Sequence, residues 1–331
     1  MKDLDKFLWV MFWWAIWDAF WVPIEFFYPW DFEPVDIINW KIWLMQYWKN
    51  FWDWSDDTAM SLLLADSLVR CWWTNIQDQL ENYYKWHKTW YMWLRPYPDW
   101  EWWQVARMLE LYWEYRNWNL KDKPWEEDRS WKRMDWNGSL MRIWPIPLYF
   151  YDNIEDVLIA AKESCYPTHN TDLCIDSCVY YSWLIHHAMH WIDKNKLFNW
   201  NLSGIRWFSK NREFSLEVQN VIMWSYLWKT PNEINPSWYV VDSLETALWW
   251  FYYSTSFWEW LKKVLDLWWD TDTTACIYWY LAWAYYWYNA IPNYLKEFVA
   301  AKEFIKHTAE ELYDHKYEEY DLSMVKPIVS L

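Results

Sequence analysis

Ser55-Asp56-Asp57-Thr58-Ala59-Met60-Ser61-Leu62-Leu63-Leu64-Ala65-Asp66-Ser67-Leu68-Val69 decides the fold class. From Ala59 the apolar residues return every three or four positions, the period of a buried helix face. The hydroxyl and carboxyl groups just before them are the types that cap helix starts. Asp270-Thr271-Asp272-Thr273 repeats this arrangement, opening an apolar run that continues to Tyr288. Working outward, the same spacing predicts helices over 38–51, 105–115, 154–162, 173–191, 216–227, 244–251, 257–267 and 294–313. No comparable set of alternating strands appears, so the chain is expected to be all-α. Proline and charge mark loops at 93–103, 117–136, 199–212 and 228–238. With no internal repeat and no break in composition, residues 1–331 are expected to form one domain.

Taken singly, each acidic cluster is explained as a helix cap. Taken together, Ser55, Asp56, Asp57, Asp270, Asp272 and Thr273 offer six hard oxygen donors if the two helix starts meet, a set suited to Mg²⁺ or Mn²⁺ rather than zinc. Nothing in the spacing itself brings them together.

The composition is unusual in one respect: 41 tryptophans stand against two glycines in 331 residues. Ordinary usage would give roughly 23 glycines, because turns, helix C-caps and close backbone contacts need a residue without Cβ. Two helices carry Trp at every fourth position, Trp13, Trp17 and Trp21 in the first and Trp279, Trp283 and Trp287 in the last core helix. Read literally this is an aromatic core stripe, or the mark of an aromatic-rich membrane-surface protein. Read as glycine it is a seam of small residues that lets two helix backbones approach.

Net charge and cysteine usage exclude several function classes. A charge of −16 opposes a nucleic-acid partner, since phosphate backbones are bound through clustered Lys and Arg. The five cysteines, Cys71, Cys165, Cys174, Cys178 and Cys276, include no C-x-x-C pair, so neither a disulfide framework nor a zinc ribbon is indicated and a cytoplasmic location is expected. Lys2 and Lys6 precede an apolar run as in a secretory signal, yet no small-residue cleavage site follows. The uncharged stretch 273–289 is short for a membrane span and rich in Trp, Tyr and Ala, so it reads as a buried helix.

Four further groups attract attention. Asp18 and Glu25 are seven apart, near one side of a helix that Pro23 should end. Trp136-Asn137-Gly138-Ser139-Leu140-Met141-Arg142 keeps one of the two glycines and reads as a tight turn, while Thr168-His169 precedes another helix start. His186 and His190 have the i, i+4 spacing of a zinc helix, but His187 stands where such a helix has its Glu, and the three read as surface or interhelical residues.

With Trp read as Gly, residues 17–26 become Gly-Asp-Ala-Phe-Gly-Val-Pro-Ile-Glu-Phe and residues 268–273 become Gly-Gly-Asp-Thr-Asp-Thr. These strings, the S-D-D-T cluster, the N-G-S-x-M-R segment and the T-H pair resemble the ADP-ribosylglycohydrolase family in order, over about 12–295. Ser55 stands where Thr is common. A gene in which UGA encodes glycine, translated as though UGA encoded tryptophan, accounts for the substitution; UGG codons at Trp17, Trp21, Trp268 and Trp269 would end that explanation.

The resemblance implies a single orthogonal multi-helix bundle and a pair of Mg²⁺ ions held by Ser55, Asp56, Asp57, Asp270, Asp272 and Thr273. It implies catalytic roles for Glu25 and Asp57, with Asp18 supporting, and ADP-ribose contacts from Asn137, Gly138, Ser139, Met141, Arg142 and His169. Asp99 and Glu101 lie in a loop that carries a further carboxylate in some members. The implied activity is Mg²⁺-dependent cleavage of the glycosidic bond between ADP-ribose and an acceptor, a protein side chain or small molecule, by a monomer without nucleic-acid or membrane partners. The alternative is an inactive ADP-ribose-binding or structural relative. Ten Gly-to-Trp changes forced into a fitted core, at about 1–3 kcal/mol each, would total roughly 20 kcal/mol against a net stability of about 5–15, so the literal chain is expected not to hold this fold.

Overall fold

The computed structural model describes residues 3–21, 54–89, 103–126, 135–199, 205, 213–255, 270–286 and 301–318. Among them the chain forms twelve α-helices: α1 (Leu4–Trp21), α2 (Asp56–Cys71), α3 (Ile76–Thr89), α4 (Trp103–Arg116), α5 (Pro145–Tyr149), α6 (Ile154–Cys165), α7 (Asp172–Met189), α8 (Lys194–Asn199), α9 (Leu216–Ile222), α10 (Val240–Tyr253), α11 (Thr271–Tyr286) and α12 (Lys302–Asp314). The described residues contain no strand, only an isolated antiparallel bridge between Trp136 and Tyr239. The expected all-α class is what the structure has. None of the described helices is long and apolar enough to cross a membrane.

Local chemistry sets the helix entrances. Ser55 caps α2, its hydroxyl accepting the Asp57 N–H at 3.1 Å. Asn153 caps α6 by accepting the Glu155 N–H at 3.0 Å, and Thr171 caps α7 by accepting the Cys174 N–H at 3.3 Å. Each satisfies an amide that the helix itself leaves without a partner.

The exits are different. Six described non-glycine residues have positive φ, and four are tryptophans at or just past helix ends: Trp72 (62°), Trp118 (64°), Trp191 (61°) and Trp224 (65°). After α4 the Trp118 N–H donates to the Tyr115 carbonyl at 3.0 Å and the Asn119 N–H to Glu114 at 2.9 Å. After α7 the Trp191 N–H donates to Ala188 at 3.1 Å and the Ile192 N–H to His187 at 3.2 Å. Both are complete Schellman closures, whose left-handed residue is ordinarily glycine.

α7 is the centre of the bundle, buried along most of its length and packed on α6, α10 and α11. α1 packs against α12 and α11, and α2 against α3 and α12. The α1–α11 seam holds indoles: Trp13 stacks on Trp283 with ring centres 4.8 Å apart, and Trp279 lies 6.1 Å from Trp283. The expectation that tryptophan excludes this arrangement is therefore not met, because near-parallel rings fill the seam as an aromatic stack. Polar cost remains elsewhere. Trp14, Trp144, Trp183 and Trp250 bury indole N–H groups without a hydrogen-bond partner among the described residues, at about 1–3 kcal/mol each.

Three differences from the predicted elements have physical causes. α9 stops at Ile222 instead of reaching 227, because Trp224 is left-handed and a short 3₁₀ turn, Ser225–Trp228, follows. α3 is absent from the predicted elements although Ile76, Leu80, Tyr83 and Tyr84 recur at helical spacing; its inner face also includes Gln79 and Asn82, and Asn82 is held by donating to the Leu63 carbonyl and the Asp66 carboxylate. The short helices α5 and α8 carry too few turns for a period to show. The helices expected over 38–51 and 257–267, and most of the loops at 93–103 and 199–212, lie outside the described residues.

Candidate functional site

The α2 entrance is gripped from α1. Asp18 is fully buried, and its Oδ2 accepts the backbone N–H of Ser55 at 3.0 Å, that of Thr58 at 3.1 Å, and the Thr58 hydroxyl. Burial pushes the Asp18 carboxyl up from its usual range, opposed by the hydrogen bonds from Thr58 and Ser55. One carboxylate thus fixes the turn that carries Asp56 and Asp57, both buried. The Ser61 hydroxyl supports the same turn by donating to the Asp57 carbonyl at 2.7 Å. This entrance faces α11. Burial foremost, then the nearby Cys276, Asp57, Tyr181 and Asp18, raises the Tyr280 hydroxyl well above its ordinary pKa.

The α11 entrance is held by Pro236 and Asn137. Asp270 is buried, its N–H donates to the Pro236 carbonyl at 3.4 Å, and its own carbonyl accepts the Thr274 N–H at 3.2 Å. Its Oδ2 accepts the Asn137 side-chain N–H at 2.6 Å. Thr273 is buried in the first turn. The side chain of Asp272, and the whole of Glu25, Asp99 and Glu101, lie outside the described residues, as do Trp268, Trp269 and Trp287. Among the described residues, no three Asp, Glu, His or Cys side chains gather closely enough to hold a metal ion.

A third group surrounds Gly138. Asn137–Ser139 is a single 3₁₀ turn, and Gly138 does not have positive φ. Its glycine is required for space: a Cβ there would lie 2.8 Å from Cε1 of His169. Arg142 is 0% exposed and donates to the Gly138 carbonyl at 2.8 Å, the Thr168 hydroxyl at 2.6 Å and the Ser164 carbonyl at 3.3 Å. The guanidinium therefore props the turn from behind, with its carbon 5.1 Å from the Tyr83 ring centre. His169, 1% exposed, is held well below its ordinary pKa by burial and then by the Arg142 charge, so its imidazole is neutral. The Thr168 hydroxyl, which accepts from Arg142, also lies 2.7 Å from His169 Nδ1. Met141 and Ser139 are buried in the same turn, and Ser139 accepts the Cys178 thiol at 3.4 Å.

The structure thus links Asp18 with Ser55 and Thr58, Asn137 with Asp270, and Gly138 with His169 and Arg142. Two participants had no sequence signal. Ser243 sits inside α10, where Asn137 donates to its hydroxyl at 2.9 Å, and Tyr280 is one aromatic in an aromatic-rich helix. The histidines 186, 187 and 190 each meet a backbone carbonyl, that of Tyr151, Trp183 and His186 respectively.

Comparison with known proteins bears on this arrangement. The chain is 26% identical over 269 residues to the ADP-ribosylarginine hydrolase Tri1 of Pseudomonas putida (strain GB-1), covering 79% of this chain and 66% of that protein. It is 22% identical over 266 residues to the protein of the same description from Serratia proteamaculans (strain 568), covering 79% and 67%. The chain thus spans about two thirds of the length of the curated relatives it matches. A solved structure described as an ADP-ribosylglycohydrolase-related protein complex shares the fold, with a TM-score of 0.72 at 22% identity over 96% of this chain and 99% of that one. The family model for ADP-ribosylglycohydrolase matches residues 5–322, and this chain, with its two acidic helix entrances and its Gly138–His169 turn, belongs to that family.

Proposed function

We propose that this chain is a hydrolase that cleaves the glycosidic bond joining ADP-ribose to an acceptor, with ADP-ribosylated arginine on a protein the first acceptor to consider and small ADP-ribose conjugates the second. The observation that carries this reading is the pair of buried acidic helix entrances, Asp56 and Asp57 on α2 and Asp270 on α11, in a chain of this family. Membership alone would allow any acceptor; the arginine preference comes from the names of the two relatives.

The donors at the two entrances are hard oxygens without thiol or imidazole, and Asp18 Oδ1 at the α2 entrance is buried without a hydrogen-bond partner among the described residues, a chemistry that fits Mg²⁺, with Mn²⁺ as a substitute. In this reading Ser55, Asp56, Asp57, Asp270, Asp272 and Thr273 hold two such ions. The ions, when bound, supply charge that polarises water and the ribose hydroxyls. Glu25 takes the proton from the attacking water, and Asp57 orients the reacting centre from the first turn of α2. Asn137, Gly138, Ser139, Met141 and His169 form the wall against which ADP-ribose is held. Arg142 acts on the diphosphate through its field. Its guanidinium is buried and has no carboxylate partner among the described residues, so an anion nearby lowers the cost of that charge. The net charge of −16 argues against a nucleic-acid partner, the unpaired cysteines suit a cytoplasmic location, and in this reading the enzyme is a monomer built as one unit over 1–331.

The test is release of ADP-ribose from an ADP-ribosylated arginine peptide by the purified chain with Mg²⁺, followed by chromatography. Release should stop with a chelator and in Asp57→Ala. No release from arginine, serine or small-molecule acceptors would overturn the reading. The second reading is a relative that binds ADP-ribose without cleaving it. Calorimetric binding of ADP-ribose without turnover would select it.

A further inference from the structure

We propose that Asn137, oriented by Ser243, is a positioning residue that fixes the Asp270 carboxylate at the α11 entrance. The metal arm of its test rests on the proposed function, and the structural arm does not.

The backbone of Asn137 is immobilised first. Its N–H donates to the Trp238 carbonyl at 3.0 Å, and the Val240 N–H donates to Asp135 at 2.9 Å, on either side of the Trp136–Tyr239 bridge. The Asn137 side chain then uses its amide protons in two directions, to Ser243 Oγ at 2.9 Å and to Asp270 Oδ2 at 2.6 Å. The polarity of this relay is fixed. The Ser243 proton goes to the Ser237 carbonyl at 2.7 Å, with the Tyr239 carbonyl at 3.2 Å, so the Ser243 oxygen faces Asn137 as an acceptor. Flipping the Asn137 amide would turn its carbonyl oxygen toward two groups that also accept.

All three residues are buried, so the hydrogen bond to the charged carboxylate acts where water screens it least. Asp270 is also tied through its backbone to Pro236, in the same segment that leads to Ser243. Side chain and main chain thus share one anchor, and the direction of the Asp270 carboxylate follows from α10. Outer partners of this kind matter because a ligand held in one orientation loses no freedom on binding an ion.

Asn137→Asp, which keeps the shape and reverses the chemistry, and Ser243→Ala, which removes the orienting acceptor together with its donation to the Ser237 carbonyl, test this in the full chain. Without added metal, hydrogen exchange at amides 271–275 should quicken about tenfold in Asn137→Asp and less in Ser243→Ala. The amides of α7 should stay protected in both, which shows that the fold is intact. Titration with Mn²⁺ followed by electron paramagnetic resonance should show affinity falling roughly 10–100-fold in Asn137→Asp. Unchanged exchange and unchanged Mn²⁺ affinity in both variants, with only the KM for substrate raised, would leave Asn137 its substrate contact alone and overturn the proposal. If the unaltered chain binds no Mn²⁺, the metal reading fails, and the exchange measurement still decides the clamp.

Discussion

At the entrances of α2, α6 and α7 the capping residues are Ser55, Asn153 and Thr171, each using a short polar side chain to take up an amide. At the exits of α2, α4, α7 and α9 the left-handed residue is Trp72, Trp118, Trp191 or Trp224, each with a Cβ that this conformation penalises. Trp118 is 92% exposed, Trp72 65% and Trp191 62%, so little packing offsets that penalty. At roughly 1–2 kcal/mol per residue, four such exits cost about 4–8 kcal/mol, comparable with the whole net stability of an ordinary domain. The difference teaches that, at these entrances and exits, residue choice suits the backbone where the fold needs oxygen and fails where it needs hydrogen. UGA codons at these four positions would explain why; UGG codons would break the comparison at its base.

The largest expected effect is on the exits. A chain with glycine at 72, 118, 191 and 224 should gain about 4–8 kcal/mol, read as a higher urea midpoint with an unchanged slope. The matching alanine chain should gain little, because alanine keeps the Cβ; equal gains would mean that indole exposure, and not φ, is the cost. Next comes the exit of α7, where a cationic histidine would ordinarily suit the helix dipole. Burial instead holds His186 neutral, down to about 3. Its unfolded form takes up a proton near 6.5 and its folded form does not, so stability is full above that value and falls as pH drops toward 3. The slope should be about 1.4 kcal/mol per pH unit for this one group, flattening in His186→Gln.

Gly138 sharpens the contrast, since this glycine serves space and not φ. Gly138→Ala should cost about 1–3 kcal/mol through contact with the His169 ring, and less in a His169→Ala background; an equal cost in both backgrounds would refute ring contact as the cause. The smallest effect belongs to the entrances: Thr171→Ala or Asn153→Ala should each lose about 1 kcal/mol by thermal melting, with activity retained.

Much of the fold was legible because an apolar period needs only the local sequence. The stretch 154–162 opens α6 at Ile154, and 105–115 lies within α4. α3 was passed over, since polar Gln79 and Asn82 share its buried face; Asn82 is satisfied by the Leu63 carbonyl and Asp66, partners that no window contains. At the site, the residues that start each helix could be named, but not what holds them. Asp18 reaches Ser55 across 37 residues and Asn137 reaches Asp270 across 133, and no spacing rule encodes such pairings. Arg142 shows the same limit. Its charge suggested exposure to a ligand, whereas the fold uses its forked geometry against carbonyls inside the protein.

The bridge between Trp136 and Tyr239 has a kinetic consequence. It closes a chain loop on the order of 100 residues, and contacts of such separation form after the local helices because the entropy of closure must be met first. Refolding should therefore recover helical circular dichroism before Asn137 meets Asp270, and a newly made chain passes through an interval in which it is helical and not yet competent.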